Sequence, residues 1–163
     1  MLTWAVERED SAGGRDFTLH LFLCQYLFFR SVPNVVHSFD MVSVNPGVTA
    51  CEMSNTPLKE GEVDIVVFSL SLMGTNIRDF IYEATRILKM GGVLKIAELE
   101  SRFQETYSAD QFISDLEKFG LKNTWKDLKR EYFYFMDFKK VAETKKKKKL
   151  PEINLKPCFY KKR

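Results

Sequence analysis

Ten consecutive residues, VDIVVFSLSL at positions 63–72, constrain the fold more than any other feature of the chain. The run is apolar and rich in β-branched side chains, and it is shorter than an ordinary helix. It reads as a strand buried on both faces, of the kind found at the centre of a parallel sheet. Its surroundings agree. VVHSFD (35–40) and VTACEM (48–53) read as shorter strands, the second after a Pro46-Gly47 turn. Ile77, Phe80, Ile81, Ala84, Ile87 and Leu88 recur at helical spacing behind Thr75 or Asn76 as cap, and Gly91-Gly92 is expected to supply a left-handed C-cap. VLKIAELE (93–100) then resumes as strand. A second helix starts at Ser108, where Ser108 and Gln111 form a capping-box pattern, presents Phe112, Ile113, Leu116 and Phe119, and stops at Gly120. Residues 121–128 and 132–141 read as strands joined by so short a turn that they must be antiparallel. The expected class is α/β, with a C-terminal antiparallel hairpin.

With 163 residues, 45% of them hydrophobic, the chain has the length and apolar content of one folded domain. Cys24, Cys51 and Cys158 are odd in number and without CxxC spacing, which argues against a disulfide framework or a zinc site and for a reducing compartment. The most apolar segment, FTLHLFLCQYLFF (17–29), has 13 residues, short of the roughly 17 to 25 that a membrane span requires. No membrane and no metal are therefore expected. Charge is uneven: residues 121–163 carry a net +10 and the rest a net −7. The basic end fits an acidic partner, most commonly nucleic acid, or a solvated lysine tail, and the run 145–149 also fits a nuclear address.

Three strands end in chemistry that belongs together. Asp40 closes the first, Glu52 and Met53 close the second, and Ser69 stands near the end of the third. A carboxylate at a strand end can accept hydrogen bonds from the two hydroxyls of a ribose, and a second can accept from the exocyclic amine of an adenine while a thioether packs on the ring. Taken singly, each acid could equally be a turn or cap residue, and Met53 could be core filler. As an ordered set, they describe a nucleoside pocket. His37 lies inside a strand and His20 in the apolar N-terminal run, and neither is expected to be catalytic.

RSVPNVVHSFD, VTACEM, VDIVVFSLSLMGTNIRDFIYEATRILKMGGVLKIAELESRF and the ending LKPCFYKKR carry a recognisable pattern. The chain resembles the class I S-adenosylmethionine-dependent methyltransferases, and within them the ribosomal-RNA-processing methyltransferases of the nucleomethylin type. The resemblance implies a Rossmann-like sheet in the order 3-2-1-4-5-7-6 with helices on both faces, and S-adenosyl-L-methionine as cosubstrate. It further implies methylation of adenine N1 in large-subunit ribosomal RNA, residence in the nucleolus of the nucleus, and association with a chromatin-silencing complex on ribosomal DNA. By the same resemblance, Asp40 matches the ribose-binding acid, Glu52 and Met53 match an adenine-binding pair that is usually Asp-Met, and Ser69 matches a pocket position that is commonly Cys. Met73 to Asn76 fall where a target base would enter.

The resemblance runs from about Arg30 to Arg163, which divides the chain into an atypical N-terminal segment (1–29), a partial methyltransferase domain (30–144) and a basic tail (145–163). No glycine-rich turn follows a strand before Val35, so the first strand and its turn are expected to be missing or replaced, with 17–29 a candidate to fill the central gap. Weak or absent cosubstrate binding is the corresponding expectation. Two other classes stand beside the enzyme: a non-catalytic RNA- or chromatin-binding module, and an unstable truncated product.

Overall fold

The structure is a computed structural model and describes residues 2–6, 34–42, 46–104, 106–130, 132–144 and 147–157. Among these residues, seven strands form one sheet: β1 (Leu2–Val6), β2 (Val36–Asp40), β3 (Thr49–Ala50), β4 (Val63–Ser69), β5 (Leu88–Leu99), β6 (Leu121–Asp127) and β7 (Phe133–Lys140). Their order is β3-β2-β1-β4-β5-β7-β6, the expected class I order. One continuous row crosses all seven, from Thr49 through Phe39, Thr3, Phe68, Ile96 and Met136 to Lys126.

The central position is filled in an unexpected way. β1 pairs antiparallel with both neighbours, Thr3 opposite Phe39 on one side and Phe68 on the other. The first strand is thus replaced by residues 2–6, running against the direction the class I order requires. The candidate segment 17–29 lies outside the described residues.

The core explains which residues form which elements. Alternate strand residues, Phe39, Val66, Phe68, Leu94, Ile96, Met136 and Phe138, join one buried cluster with the apolar stripes of α1 (Ile77–Ile87) and α2 (Ala109–Glu117). Both described helices therefore lie on the same face of the sheet, and helices for the other face are not found among the described residues. Burying each large apolar side chain contributes about 1.5 to 3 kcal/mol, which makes this one-sided cluster the main stabilising feature.

Several boundaries move for local reasons. The second predicted strand shrinks to β3, because the chain leaves the ladder after Cys51, whose N–H still reaches Asp40 O at 2.9 Å, and turns at Glu52. α1 ends four residues before Gly91, since Leu88 becomes extended to pair with Val63; Gly91 does take a left-handed φ of 82°, but inside β5. α2 is capped as its sequence predicts, with Ser108 Oγ accepting from Gln111 N at 3.2 Å. The β6–β7 hairpin is antiparallel, as its short turn demands. The stretch after the lysine run is less of a tail than its polarity implies: Leu150, Ile153 and Leu155 are buried in the core cluster.

Gly120 makes the α2–β6 corner possible. Its φ is 84°, and a Cβ there would stand 2.3 Å from Ala142 O. Gly120→Ala is expected to destabilise the fold by about 2 to 3 kcal/mol, combining left-handed strain with a backbone clash; urea unfolding would show it as a lower midpoint at unchanged slope.

Candidate functional site

In an open sheet of this kind, ligands sit beyond the carboxyl ends of the parallel strands. Asp40 is the last residue of β2 and Ser69 the last of β4, and β1 lies between them with Leu2 opposite Ser69. Asp40 is held in place by its own backbone and side chain: its carbonyl accepts from Cys51 N, and Oδ1 accepts from Val42 N at 3.3 Å. Beside it, burial and the nearby acids Glu83 and Glu52 push the Cys51 thiol upward, so it stays protonated at neutral pH.

Glu52 stands exposed on the turn after β3, where its carbonyl accepts from Asn55 N at 3.0 Å. Its carboxylate Oε1 accepts from Asn76 Nδ2 at 2.9 Å, linking the turn after β3 to the loop after β4. Asn76 does occupy the N-cap of α1, but its side chain makes no capping bond because the amide is turned toward Glu52. Gly74 gives that amide its room: a Cβ at 74 would lie 2.6 Å from Asn76 Oδ1. Met53, by contrast, is buried in the core cluster among apolar neighbours. The structure thus brings Asp40, Ser69 and Glu52 to one edge and sets Met53 beneath it.

Two acid–arginine pairs, one between buried Glu83 and half-buried Arg86 and one buried on both sides, fix the loops that carry these residues. Glu83 of α1 accepts at Oε1 from both the N–H and the hydroxyl of Thr56, at 2.8 and 2.7 Å, while Arg86 donates to Glu83 Oε2 at 2.7 Å and to Leu58 O at 2.7 Å. That pair ties down the turn after β3. Glu98 of β5 and Arg102, 0% and 2% exposed, form an ion pair at 2.9 Å. Glu98 Oε1 accepts from Leu72 N at 3.0 Å, and Arg102 donates to Leu72 O, so both backbone groups of one loop residue are held. Arg102 also donates to Lys156 O at 3.1 Å, and its own carbonyl accepts from Lys156 N at 2.9 Å, so the C-terminal segment is fastened to the same point.

The loop after β4 is strained where it turns. Leu70 has a φ of 53°, a conformation that costs a non-glycine residue on the order of 1 to 3 kcal/mol and persists only when its surroundings impose it. Its N–H donates to Ala97 O at 2.9 Å, and the Ser71 hydroxyl donates back to Ser69 O at 3.0 Å. Glu98 and Arg102 supply the remaining constraint at Leu72.

Neither pair closes a strand, yet both leave a trace in the sequence. Glu98 follows Leu94 and Ile96 at two-residue spacing, which aims an acid into the core. Glu83 stands three residues after Phe80 and four before Ile87, on the edge of the apolar stripe of α1. Among the described residues no group of His, Cys, Asp and Glu could hold a metal ion, and no helix is long and apolar enough to cross a membrane.

The fold is that of the class I methyltransferases. A Burkholderia thailandensis 1,6-didemethyltoxoflavin-N1-methyltransferase, solved with S-adenosylhomocysteine, aligns at a TM-score of 0.53 and 12% identity, over 64% of this chain and 60% of that one. The [4+2]-cyclase SpnF aligns at 0.50 and 13%, over 59% and 56%, so the shared architecture alone does not dictate methyl transfer. The chain belongs to the family described as Hypothetical methyltransferase, whose family model matches residues 24–163. It is 47% identical over 135 residues to Ribosomal RNA-processing protein 8 of Mus musculus, covering 82% of this chain and 29% of that protein. It is 46% identical over 136 residues to a Schizosaccharomyces pombe 25S rRNA (adenine(645)-N(1))-methyltransferase, covering 83% and 42%. The chain spans less than half the length of either relative.

The Glu83 cluster sets a pH dependence. Burial raises the Glu83 carboxyl, but the hydrogen bonds from Arg86 and Thr56 outweigh it and hold the group below its ordinary value of 4.5. Its stabilisation is therefore complete above that value and is lost as pH falls toward the lower, folded one. Glu83→Gln is expected to cost about 1 to 2 kcal/mol at pH 7, because the half-buried Arg86 keeps contact with water when it loses its partner, and the loss should shrink in melts run below pH 4.

Proposed function

We propose that this chain carries the cosubstrate and acceptor edge of a nucleolar S-adenosylmethionine-dependent methyltransferase that modifies N1 of an adenine in large-subunit ribosomal RNA, with roles in rRNA processing and rDNA silencing. With β1 antiparallel at the centre of the sheet, cosubstrate binding by this chain is weak. The observation carrying this reading is the alignment of Asp40 and Ser69 on either side of β1, with Glu52 tied to the acceptor-side loop through Asn76. Names borne by the relatives support the choice of substrate, and the nuclear setting follows from it.

The residues fit the two ends of the cosubstrate unequally. For the adenosine end, Asp40 accepts from the ribose hydroxyls, and Glu52 exchanges its bond to Asn76 for one to the exocyclic amine, while Met53 backs the pocket from below. For the methionine end, the class I design needs a strand pointing toward the ligand and a glycine turn, whereas β1 points away and presents Leu2 at that edge. When bound, the cosubstrate supplies an electrophilic sulfonium methyl. Adenine N1 carries a free lone pair, so the chain's own residues need only align the base and exclude water, without a strong general base. Loop residues Met73 to Asn76, held through Leu72, are assigned that aligning role.

The polarity of β1 also favours a second reading, a non-catalytic module that binds RNA or a chromatin-silencing partner with its methionine subsite unbuilt. Isothermal titration with S-adenosylhomocysteine separates the two. The expected dissociation constant is weaker than about 1 mM, less than about 4 kcal/mol of binding. A micromolar constant that Asp40→Ala abolishes would overturn the impairment and leave a competent enzyme.

A further inference from the structure

One stretch of the sheet bears two exposed lysines that no described residue neutralises. On β7, Met136 and Phe138 face the helices, so Phe135, Asp137 and Lys139 occupy the opposite face. Their cross-strand partners share that face: Lys122 and Val93 beside Lys139, Trp125 and Lys95 beside Asp137, Asp127 and Ala97 beside Phe135. Lys95 is neutralised by Asp137 at 2.6 Å, and Arg130, whose guanidinium lies 5.4 Å over the Phe135 ring, by Asp127 at 2.8 Å. Lys122 and Lys139 are different. They stand directly opposite each other, both are exposed, and among the described residues neither has an ion-pair partner. Like charges in that relation destabilise a sheet.

Trp125 lies in the next row, two residues along β7 and so about 7 Å away, with 42% of its surface exposed. An exposed indole beside an unneutralised lysine pair is the combination that binds a single nucleic-acid strand, phosphates on the lysines and a base stacked on the ring. A duplex would keep its bases from the indole. The third row, Asp127, Phe135, Ala97 and Ser69, has its two middle residues buried at 5% and 1% exposure, so the exposed patch is confined to the rows of Lys122, Lys139 and Trp125.

We infer that this face of β5, β7 and β6 is a docking platform for single-stranded RNA, with Lys122 and Lys139 as phosphate contacts and Trp125 as the stacking residue. The inference rests on the RNA-directed reading above but not on cosubstrate binding, so the two fail separately. Fluorescence anisotropy of the whole chain with a labelled single-stranded 12-mer RNA, without cosubstrate, tests it. The K122Q/K139Q double variant should bind several-fold more weakly and lower the slope of log K against log salt by about 1.4. W125A should weaken binding by about fivefold or more. K126Q, which removes a charge paired with Asp110 on the other side of β6, should bind like the unmodified chain. A thermal melt should show K122Q/K139Q folded and no less stable, because a repulsion has been removed. Unchanged affinity and slope in K122Q/K139Q would overturn the inference, as would no RNA binding by the unmodified chain, equal binding of a duplex, or displacement of RNA by polyglutamate at equal charge.

Discussion

The backbone ladders on either side of Leu2–Val6 are what the rest of the structure depends on. β2 and β4 each present a row of N–H and C=O groups toward the middle of the sheet, and a strand must satisfy them, since unpaired buried backbone groups cost about as much as lost hydrogen bonds. Backbone pairing is indifferent to direction in this respect: an antiparallel strand closes the gap as well as a parallel one. The sheet is therefore continuous and the core cluster can form. Function is not indifferent, because direction decides which end of the strand meets the ligand edge.

That separation between what holds the fold and what builds the site recurs elsewhere. The loops after β3 and β4 are not stabilised by apolar packing alone; each is fixed by a buried carboxylate whose cost of burial is offset by an arginine and by backbone donors. Glu83 and Arg86 hold Thr56 and Leu58, and Glu98 and Arg102 hold Leu72. Such pairs add little net stability compared with apolar replacements, but they specify geometry, here that of the turn bearing Glu52 and the loop bearing Asn76. The Asn76–Glu52 bond then joins the two loops across the edge.

Much of this was legible in the sequence where interactions are local or strongly periodic. The run at 63–72 gave β4, the Ser108 and Gln111 spacing gave the cap of α2, and the three-residue turn gave the final hairpin. Long-range pairing was not legible. LTWAV at residues 2–6 carries no signal that it will pair with residues some 30 and 60 positions away, and no pattern fixes its direction. Nor did the polar composition around Leu150, Ile153 and Leu155 reveal that these three would reach the core. Of the candidate site, Asp40, Glu52, Met53 and Ser69 were read from strand ends; the supporting Glu83 and Glu98 were hidden because a charge at a core-facing position looks like a break in pattern until its partner is seen.

The direction of β1 is the central claim, and it can be measured directly. In an antiparallel pair, alternate facing residues bring their Cα atoms to about 4.5 Å. A nuclear Overhauser spectrum of the labelled chain should therefore show strong Hα–Hα cross-peaks from alternate residues of Leu2–Val6 to both β2 and β4, in the register that sets Thr3 against Phe39 and Phe68. Cross-peaks in the pattern of parallel strands, or contacts from another segment at the central position, would contradict the account.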